Sequence, residues 1–344
     1  MIASVLARLL DPAPLDPPTA HGVFESLLSP RSSDADRAAI LTALAARATT
    51  AGELTLFARE MQRRAVPFPL PPGDRPLDLC GSGGARTPSF NVSTVSAFVV
   101  AAAGVPVVKH GNRSSRGLCG SSDLLEALGL PVTESLGFAR ATYRTARLAF
   151  LHAPLYHPAT RAVASARKAL GIPTVFNQLG PLTNPARIRY QLVGVSDIAT
   201  AERAAAVMGS LGRRRAMAVT SVEGCDEFSP QRETTTVQRI AGRTVHRTIV
   251  ARDLLPPEDR RGSWAALVAK EAAEEARRVL AGGGGARRGS VLLTAGVALW
   301  VAEAVPTVPT GVERARQALD SGEAENLLDE MVEIGRRYRP RTGG

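Results

Sequence analysis

Cysteine is scarce in this 344-residue chain, at three residues with no Cys-x-x-Cys spacing. Three cannot all pair, so neither a disulfide framework nor a cysteine-based structural zinc site is expected. Long apolar runs are also missing. A bilayer span needs about 18–20 consecutive apolar residues, and the longest candidates, 95–108 and 291–305, are shorter and carry polar or charged positions. Lysine is nearly absent, with Lys109, Lys168 and Lys270 the only three among 42 basic residues. The net charge of +10 therefore rests on arginine, and it favours anionic partners in general. There is no zinc-finger spacing, RNA-binding aromatic motif or basic block, so specific nucleic-acid binding is not expected. The first 14 residues hold Arg8 inside a short apolar stretch and offer no small-residue cleavage site. They do not read as a signal peptide, and a cytoplasmic location is the expectation.

What is present fits a globular enzyme. An apolar fraction of 44% is ordinary, and the length accommodates one large domain or two smaller ones. Residues 1–65 carry helical periodicity, at 35–47 and 52–64, with Thr50 or Ala51 preceding Glu53 as a helix start. The run Pro67-Phe-Pro-Leu-Pro-Pro-Gly73 cannot continue a helix and reads as a linker. The spacing then predicts strands at 76–80, 105–109, 148–153 and 216–220, alternating with helices at 91–104 and 121–128. A hairpin is predicted from 234–240 and 244–250 around Ala-Gly-Arg, a flexible loop at 282–285, and helices at 291–304 and 312–337. The fold class is α/β: a mostly parallel central sheet flanked by helices, with a smaller all-helical domain. The expected division is 1–72 for the N-terminal helical domain and 73–344 for the α/β domain.

Four segments carry chemistry. Gly81-Ser-Gly-Gly84 closes a strand, where open α/β sheets bind ligands, and its glycines would let backbone N–H groups approach phosphate. It is neither a dinucleotide fingerprint nor a Walker loop, and alone it also fits a plain tight turn. Asn91-Val-Ser-Thr94 opens the next helix, which suits an anion or a hydrated metal as well as simple capping. Lys109-His-Gly-Asn-Arg113 puts two cations and a histidine around a glycine at a strand end. Such a set matches phosphate, with a solvated loop as the other reading. Asp226-Glu227 follows another strand; a surface pair is the plain account, but magnesium takes one or two carboxylates plus substrate phosphates.

Together these segments resemble the anthranilate phosphoribosyltransferase family. Ser89-Phe-Asn-Val-Ser-Thr94, Gly120-Ser-Ser-Asp123, Ala153-Pro-Leu-Tyr-His-Pro158 and the segment from Pro173 ending in Leu179-Gly-Pro-Leu-Thr-Asn-Pro185 extend the match, as does Val291-Leu-Leu-Thr-Ala295. The resemblance implies a transferase of tryptophan biosynthesis, a homodimer, and a helical domain joined in space by roughly 160–188. It implies that phosphoribosyl pyrophosphate is held by Gly81, Gly84, Ser89, Asn91, Val92, Ser93, Thr94, Lys109, His110, Gly111, Asn112, Arg113, Arg116 and Ser121. Anthranilate would meet Gly81, Asn112, His110, Pro154, His157 and Arg167. Mg2+ would be held by Ser93, Asp226 and Glu227. No covalent nucleophile is implied. Three rival readings are a related transferase with another aromatic amine acceptor, a pyrimidine nucleoside phosphorylase, which Ser115-Arg-Gly-Leu118 faintly resembles, and a non-catalytic relative that binds nucleic acid through its basic surface.

The chain departs from the family pattern at four places. Ala85 and Arg86 follow the glycine turn where an acid is usual. Arg116 and Gly117 replace two serines, Cys119 replaces another, and Thr160 stands at a channel position more often aromatic or methionine. Arg116 would either replace the hydroxyls as a pyrophosphate ligand or mark drift to other substrates. Cys80, Cys119 and Cys225 all lie in these loops. They read as small semi-buried side chains or, more sharply, as a redox-sensitive set whose thiolates arginines would stabilise.

Overall fold

The computed structural model describes residues 2–47, 49–114 and 118–338. Four helices come first: α1 (Ile2–Leu10), α2 (Pro17–Leu28), α3 (Asp34–Ala46) and α4 (Ala51–Arg63). Their starts are chemically marked. Asp16 accepts from Thr19 N ahead of two prolines that favour the first turn, and Ser33/Asp36 and Thr50/Glu53 form reciprocal capping boxes. The predicted start at Thr50 is observed.

The chain then alternates: β1 (Leu77–Gly81), α5 (Val92–Ala102), β2 (Val107–Gly111), α6 (Ser121–Ala127), α7 (Leu136–Ala146) and β3 (Leu148–His152). Three short helices follow, α8 (Ala153–Tyr156), α9 (Ala164–Leu170) and α10 (Val175–Leu179), and then β4 (Tyr190–Gly194), α11 (Ile198–Ser210) and β5 (Arg215–Ser221). The hairpin β6 (Glu233–Ile240) and β7 (Arg243–Val250) and the helices α12 (Ala269–Leu280), α13 (Ala286–Val301), α14 (Val308–Asp320) and α15 (Glu323–Arg336) complete it.

The seven strands lie in the order β3-β2-β1-β4-β5-β6-β7. The first five are parallel and the hairpin adds antiparallel strands at one edge. Alternate residues of the central strands enter two cores. Leu77, Leu79, Leu192 and Met217 pack with α5 and α13 on one side, while Cys80, Val193 and Ala218 join α4, α9, α10 and α11 on the other. Helix α5 is buried along nearly all its length, which explains its apolar sequence on every face.

Three expectations are corrected. Residues 312–337 form two helices, because Gly322 takes φ 79° and ends the turn between α14 and α15. The hairpin turn is the two residues Ala241 and Gly242, both at positive φ, and Arg243 already belongs to β7. Strand β4 and the helices α7 to α12 were not anticipated.

Candidate active site

The sheet order creates the site. From β1 the chain winds outward through β2 to β3, and from β4 it winds the other way through β5. Adjacent strands with opposed winding leave a crevice beyond their carboxyl ends. A cavity of about 370 Å3 lies there.

Its carboxylate wall rests on two glycines. Gly81 and Gly194 are register partners at the ends of β1 and β4, and Asp226 lies against both. A Cβ on Gly81 would fall 2.7 Å from Asp226 Oδ2. The N–H of Gly83 donates to Asp226 Oδ2 at 3.1 Å, and the N–H of Ser93, in the first turn of α5, donates to Glu227 Oε1 at 3.1 Å. The Nζ of Lys109 donates to the Leu79 carbonyl at 2.7 Å and to Ser93 Oγ at 3.2 Å. Burial, reinforced by the neighbouring Asp226 charge and opposed by Lys109, pushes Glu227 up to about 8. Burial raises Asp226 as well. Two adjacent buried carboxylates with one ammonium form a set that gains from a further cation.

The basic loop is only partly aimed at the cavity. Asn112 and Arg113 line it, but the Arg113 guanidinium pairs with Asp123 and Glu126 of α6, each at 2.8 Å. Ser121 Oγ donates to the Asn112 carbonyl at 3.0 Å, in the space a side chain on Gly111 would fill. Asn91 Nδ2 donates to the Cys119 carbonyl at 3.1 Å, tying the start of α5 to this loop. Ser115, Arg116 and Gly117 lie outside the described residues. Ala85 lines the cavity, whereas Arg86 does not. The Arg86 backbone N–H donates to the Gly224 carbonyl at 3.0 Å and its side chain lies against Gly224, so it braces the turn onto the carboxylate loop.

The opposite wall comes from α8 to α10 and the segment after them. Pro154, His157, Thr160, Arg167, Phe176 and Asn177 face the same space. The Arg167 guanidinium carbon stands 5.3 Å from the Phe176 ring centre, and Nη2 is 3.5 Å from Asn177 Oδ1. The rings of His110 and His157 meet edge to face, at 60°, with centres 5.1 Å apart.

Of the expected site residues, Gly81, Ser89, Asn91, Ser93, Thr94, Lys109, His110, Gly111, Asn112, Arg113, Ser121, Pro154, His157, Arg167, Asp226 and Glu227 all line this one cavity. Gly84 and Val92 do not, and the Val92 side chain is packed in the core. Sequence reasoning passed over Ser82, Phe176 and Asn177, and also Asp78 beneath the floor. The Asp78 carboxylate is fully buried on β1 and accepts from His110 N at 3.2 Å and Gln191 Nε2 at 3.2 Å. Gln191 Nε2 also reaches the Pro181 carbonyl at 2.5 Å, and Asn184 Nδ2 holds the Val108 carbonyl at 2.8 Å. These bonds fasten the 180–184 segment to the strands under the basic loop. Burial pushes Asp78 up to about 6. An acid inside a strand was the available signal.

Electrostatics favour the plain reading of the cysteines, small semi-buried side chains, over the redox one. Burial is the main cause that raises Cys119 to about 11 and Cys225 to about 12, and it lifts Cys80 well above the usual thiol range. The surrounding carboxylates add to each shift, so electrostatics favour the neutral thiol at each position.

The two histidines are held neutral. Burial, with His157 as the next contributor, lowers His110 to about 3, and burial lowers His157 to about 4. The unfolded chain titrates near 6.5 and so takes up these protons first as pH falls. Their contribution to stability is thus full above pH 6.5 and is lost as pH falls toward 4. Replacing His157 by Asn removes one such group. The stability deficit of this variant relative to the parent should shrink below pH 6.5, by at most about 1.4 kcal/mol per pH unit. Urea unfolding at pH 7.0, 6.0 and 5.0 measures it, and a deficit constant with pH would mean that His157 is not held neutral.

The chain is similar to known proteins in both parts of its length. Residues 73–325 match the glycosyl transferase family a/b domain, and residues 3–65 match the helical bundle domain of the glycosyl transferase family. An anthranilate phosphoribosyltransferase from Chloroflexus aggregans is 39% identical, with 97% of each chain covered. The crystal structure of anthranilate phosphoribosyltransferase from Thermus thermophilus superposes with a TM-score of 0.88 at 34% identity, covering 96% of this chain and 99% of the other. The Saccharomyces cerevisiae enzyme, solved in complex with PRPP and Mg, shares the fold at a TM-score of 0.86 and 24% identity, with 98% of each chain covered. Over its full length and in its two-part architecture, this chain belongs to the anthranilate phosphoribosyltransferase family.

Proposed function

We propose that the chain transfers the phosphoribosyl group of phosphoribosyl pyrophosphate to the amine of anthranilate and releases pyrophosphate, a step of tryptophan biosynthesis. The observation that carries this reading is the convergence of an ammonium, two carboxylates and a helix N-terminus on one side of a cavity, with an arginine above an aromatic ring on the other. An anionic donor and an aromatic carboxylate acceptor each find a matching wall.

In this reading Lys109, His110, Gly111, Asn112 and Ser121, with Gly81, Ser89, Asn91, Ser93 and Thr94, hold the ribose and phosphates. Arg116 and the backbone of Gly84 and Val92 belong to the same proposed set, and Arg113 contributes from its place against α6. Arg167 offers a planar fork to the acceptor carboxylate, and Asn112, Gly81, Pro154, His110 and His157 surround its ring. Oxygen donors on Ser93, Asp226 and Glu227 fit a hard divalent cation completed by phosphate oxygens, and Mg2+ is the ion proposed. When bound, Mg2+ would neutralise charge on the departing pyrophosphate. The chain itself supplies orientation: an aromatic amine is neutral and nucleophilic at pH 7, so holding it against the anomeric carbon accounts for much of the rate.

The same proposal includes a homodimer, in which Leu10 of α1, now 76% exposed, would become covered, and the division at residue 72 with 160–188 joining the helical part. The packing of Val163, Ala166, Val175 and Phe176 with the α1–α4 core supports that division. No described helix is long and apolar enough to cross a membrane. The three free cysteines fit the reducing cytoplasm, where the proposal locates the protein.

The test is loss of anthranilate fluorescence with purified protein, phosphoribosyl pyrophosphate and Mg2+. Consumption that needs all three components is expected. Turnover of another arylamine but not anthranilate would leave the reaction class and remove this acceptor. No turnover of any arylamine would remove the reading.

A further inference from the structure

Behind the basic loop two buried polar side chains meet, Ser122 of α6 and His152 at the end of β3, and neither lines the main cavity. Ser122 is 1% exposed and His152 7%. Ser122 Oγ and His152 Nδ1 lie 2.8 Å apart. A hydroxyl can give or receive, so either neutral tautomer of the ring keeps this bond. Burial, followed by the Arg113 charge, lowers His152 against the pull of Glu126 and Asp123. His152 is the register partner of Gly111, so a side chain at either position leaves the sheet on the same face. Gly111 yields its share of that face to Ser121, and the ring of His152 reaches Ser122 beside it. The same turn of α6 holds the basic loop at successive residues. Ser121 Oγ and Ser122 N both donate to the Asn112 carbonyl, at 3.0 and 3.2 Å. Asp123 Oδ2 accepts from Gly120 N at 2.8 Å and Ser114 N at 3.1 Å, and Asp123 Oδ1 accepts from Arg113. The loop thus takes its place from the first turn of α6, and the bond to His152 fastens that turn to the strand at the sheet's edge. Loss of either partner leaves the other buried and unpaired, which costs more than the bond alone.

We propose that His152 is a positioning residue for the phosphoribosyl donor: through Ser122 it sets the first turn of α6, and that turn sets Asn112 and Ser121 in the cavity. This rests on the proposed donor site and deepens it. His152 touches no substrate here. Its effect runs through one side chain to two residues that line the cavity, Asn112 and Ser121. Without the bond the first turn of α6 is free to shift, and the Asn112 carbonyl and Ser121 shift with it. The acceptor wall is built from α8 to α10 and has no part in this chain of bonds. Because β3 leads into α8, a change at His152 could reach that wall through the backbone. Ser122→Ala breaks the same bond from the far side and leaves the strand untouched.

Calorimetry with phosphoribosyl pyrophosphate and Mg2+, without acceptor, reads the donor affinity of the full chain. Ser122→Ala and His152→Leu are each expected to weaken it by about fivefold or more. His152→Asn, whose amide can stand near the Nδ1 position and bond Ser122, should stay within about twofold of the parent. The double variant Ser122→Ala/His152→Leu should bind no more weakly than the weaker single variant, because one bond is lost only once. In steady-state turnover the KM for the donor should rise in the same variants, while the KM for anthranilate at saturating donor moves by less than about twofold. A merely structural bond would lower melting temperatures without this pattern. Unchanged donor affinity in folded Ser122→Ala, additive losses in the double variant, an Asn variant as weak as the Leu variant, or an equal rise in both KM values would each overturn the inference. If His152→Leu does not fold, Ser122→Ala and His152→Asn decide it. The two readings fail separately. Anthranilate consumed with no response at Ser122 removes this inference alone, a Ser122 response without turnover of any arylamine removes the proposed reaction alone, and a parent that binds no donor removes both.

Discussion

Lys109→Met is expected to lower kcat/KM for phosphoribosyl pyrophosphate by about 10²–10³-fold, the scale seen when one preorganised electrostatic contact is removed. Lys109 is 3% exposed, and its Nζ lies between the Leu79 carbonyl and Ser93 Oγ. It opposes the rise in both Asp226 and Glu227. Without it, Glu227, already pushed up to about 8, rises further, and Asp226 rises with it. The proposed donor loses its cation, and the carboxylates proposed for the metal become harder to ionise, in one substitution. Stability should suffer less than activity. Breaking a buried ion pair typically costs about 3–5 kcal/mol when the partner stays charged, but these carboxylates can protonate instead, so a loss of about 1–3 kcal/mol is expected. Steady-state kinetics at pH 7.5 beside urea unfolding separates the two effects. A folded variant with less than a tenfold loss would remove Lys109 from the role proposed for it.

Much of this site was legible because the residues that carry charge sit where strands end. Lys109 to Arg113 and Asp226-Glu227 each follow an apolar run, and glycine marks the end of β1 and of β2. What the linear pattern hides is lateral order. Strand β4 escaped notice because Gln191, buried against Asp78 and Pro181, interrupts its apolar run, and Tyr190 opens it with a hydroxyl that donates to Glu303. Without β4 there is no way to see that β1 has a neighbour wound in the opposite direction, and hence where the crevice lies. The division between α14 and α15 was hidden for a different reason: the apolar periodicity continues on both sides of a single glycine in the left-handed region. Phe176 and Asn177 reach the cavity only because α10 packs on the N-terminal helices, a tertiary fact with no local signature. The direction of Arg113 was equally invisible, since Asp123 and Glu126 compete for it from one face of α6.

Gly194→Ala should damage the site through that unseen strand, with a larger effect than any other single methyl added beside the cavity. A Cβ on Gly194 would overlap the Asp226 carbonyl and lie 3.2 Å from Asp226 Cβ. The strand cannot retreat. Gly194 is paired with Gly81 on one side and Val219 on the other, and its carbonyl accepts from Ser82 N at 2.8 Å. The carboxylate loop must move instead. Its displacement breaks the bond from Gly83 N to Asp226 Oδ2 and the bond from Ser93 N to Glu227 Oε1, so both carboxylates leave the wall they share. Overpacking of this kind costs about 1–3 kcal/mol, and more where backbone is the obstacle. The expected result is a clear drop in the urea midpoint together with at least about a 10²-fold loss of Mg2+-dependent turnover, because misplacement of about 1 Å is enough for that. Gly180→Ala is the control for stability. It lines the same cavity, has helical φ and ψ of −47° and −55°, and a Cβ there meets nothing within 4 Å, so its urea midpoint should stay near that of the parent. If Gly194→Ala keeps both its midpoint and its turnover, the carboxylate loop is not held where β4 puts it, and the pairing of Gly81 with Gly194 is not what aims Asp226 and Glu227 into the crevice.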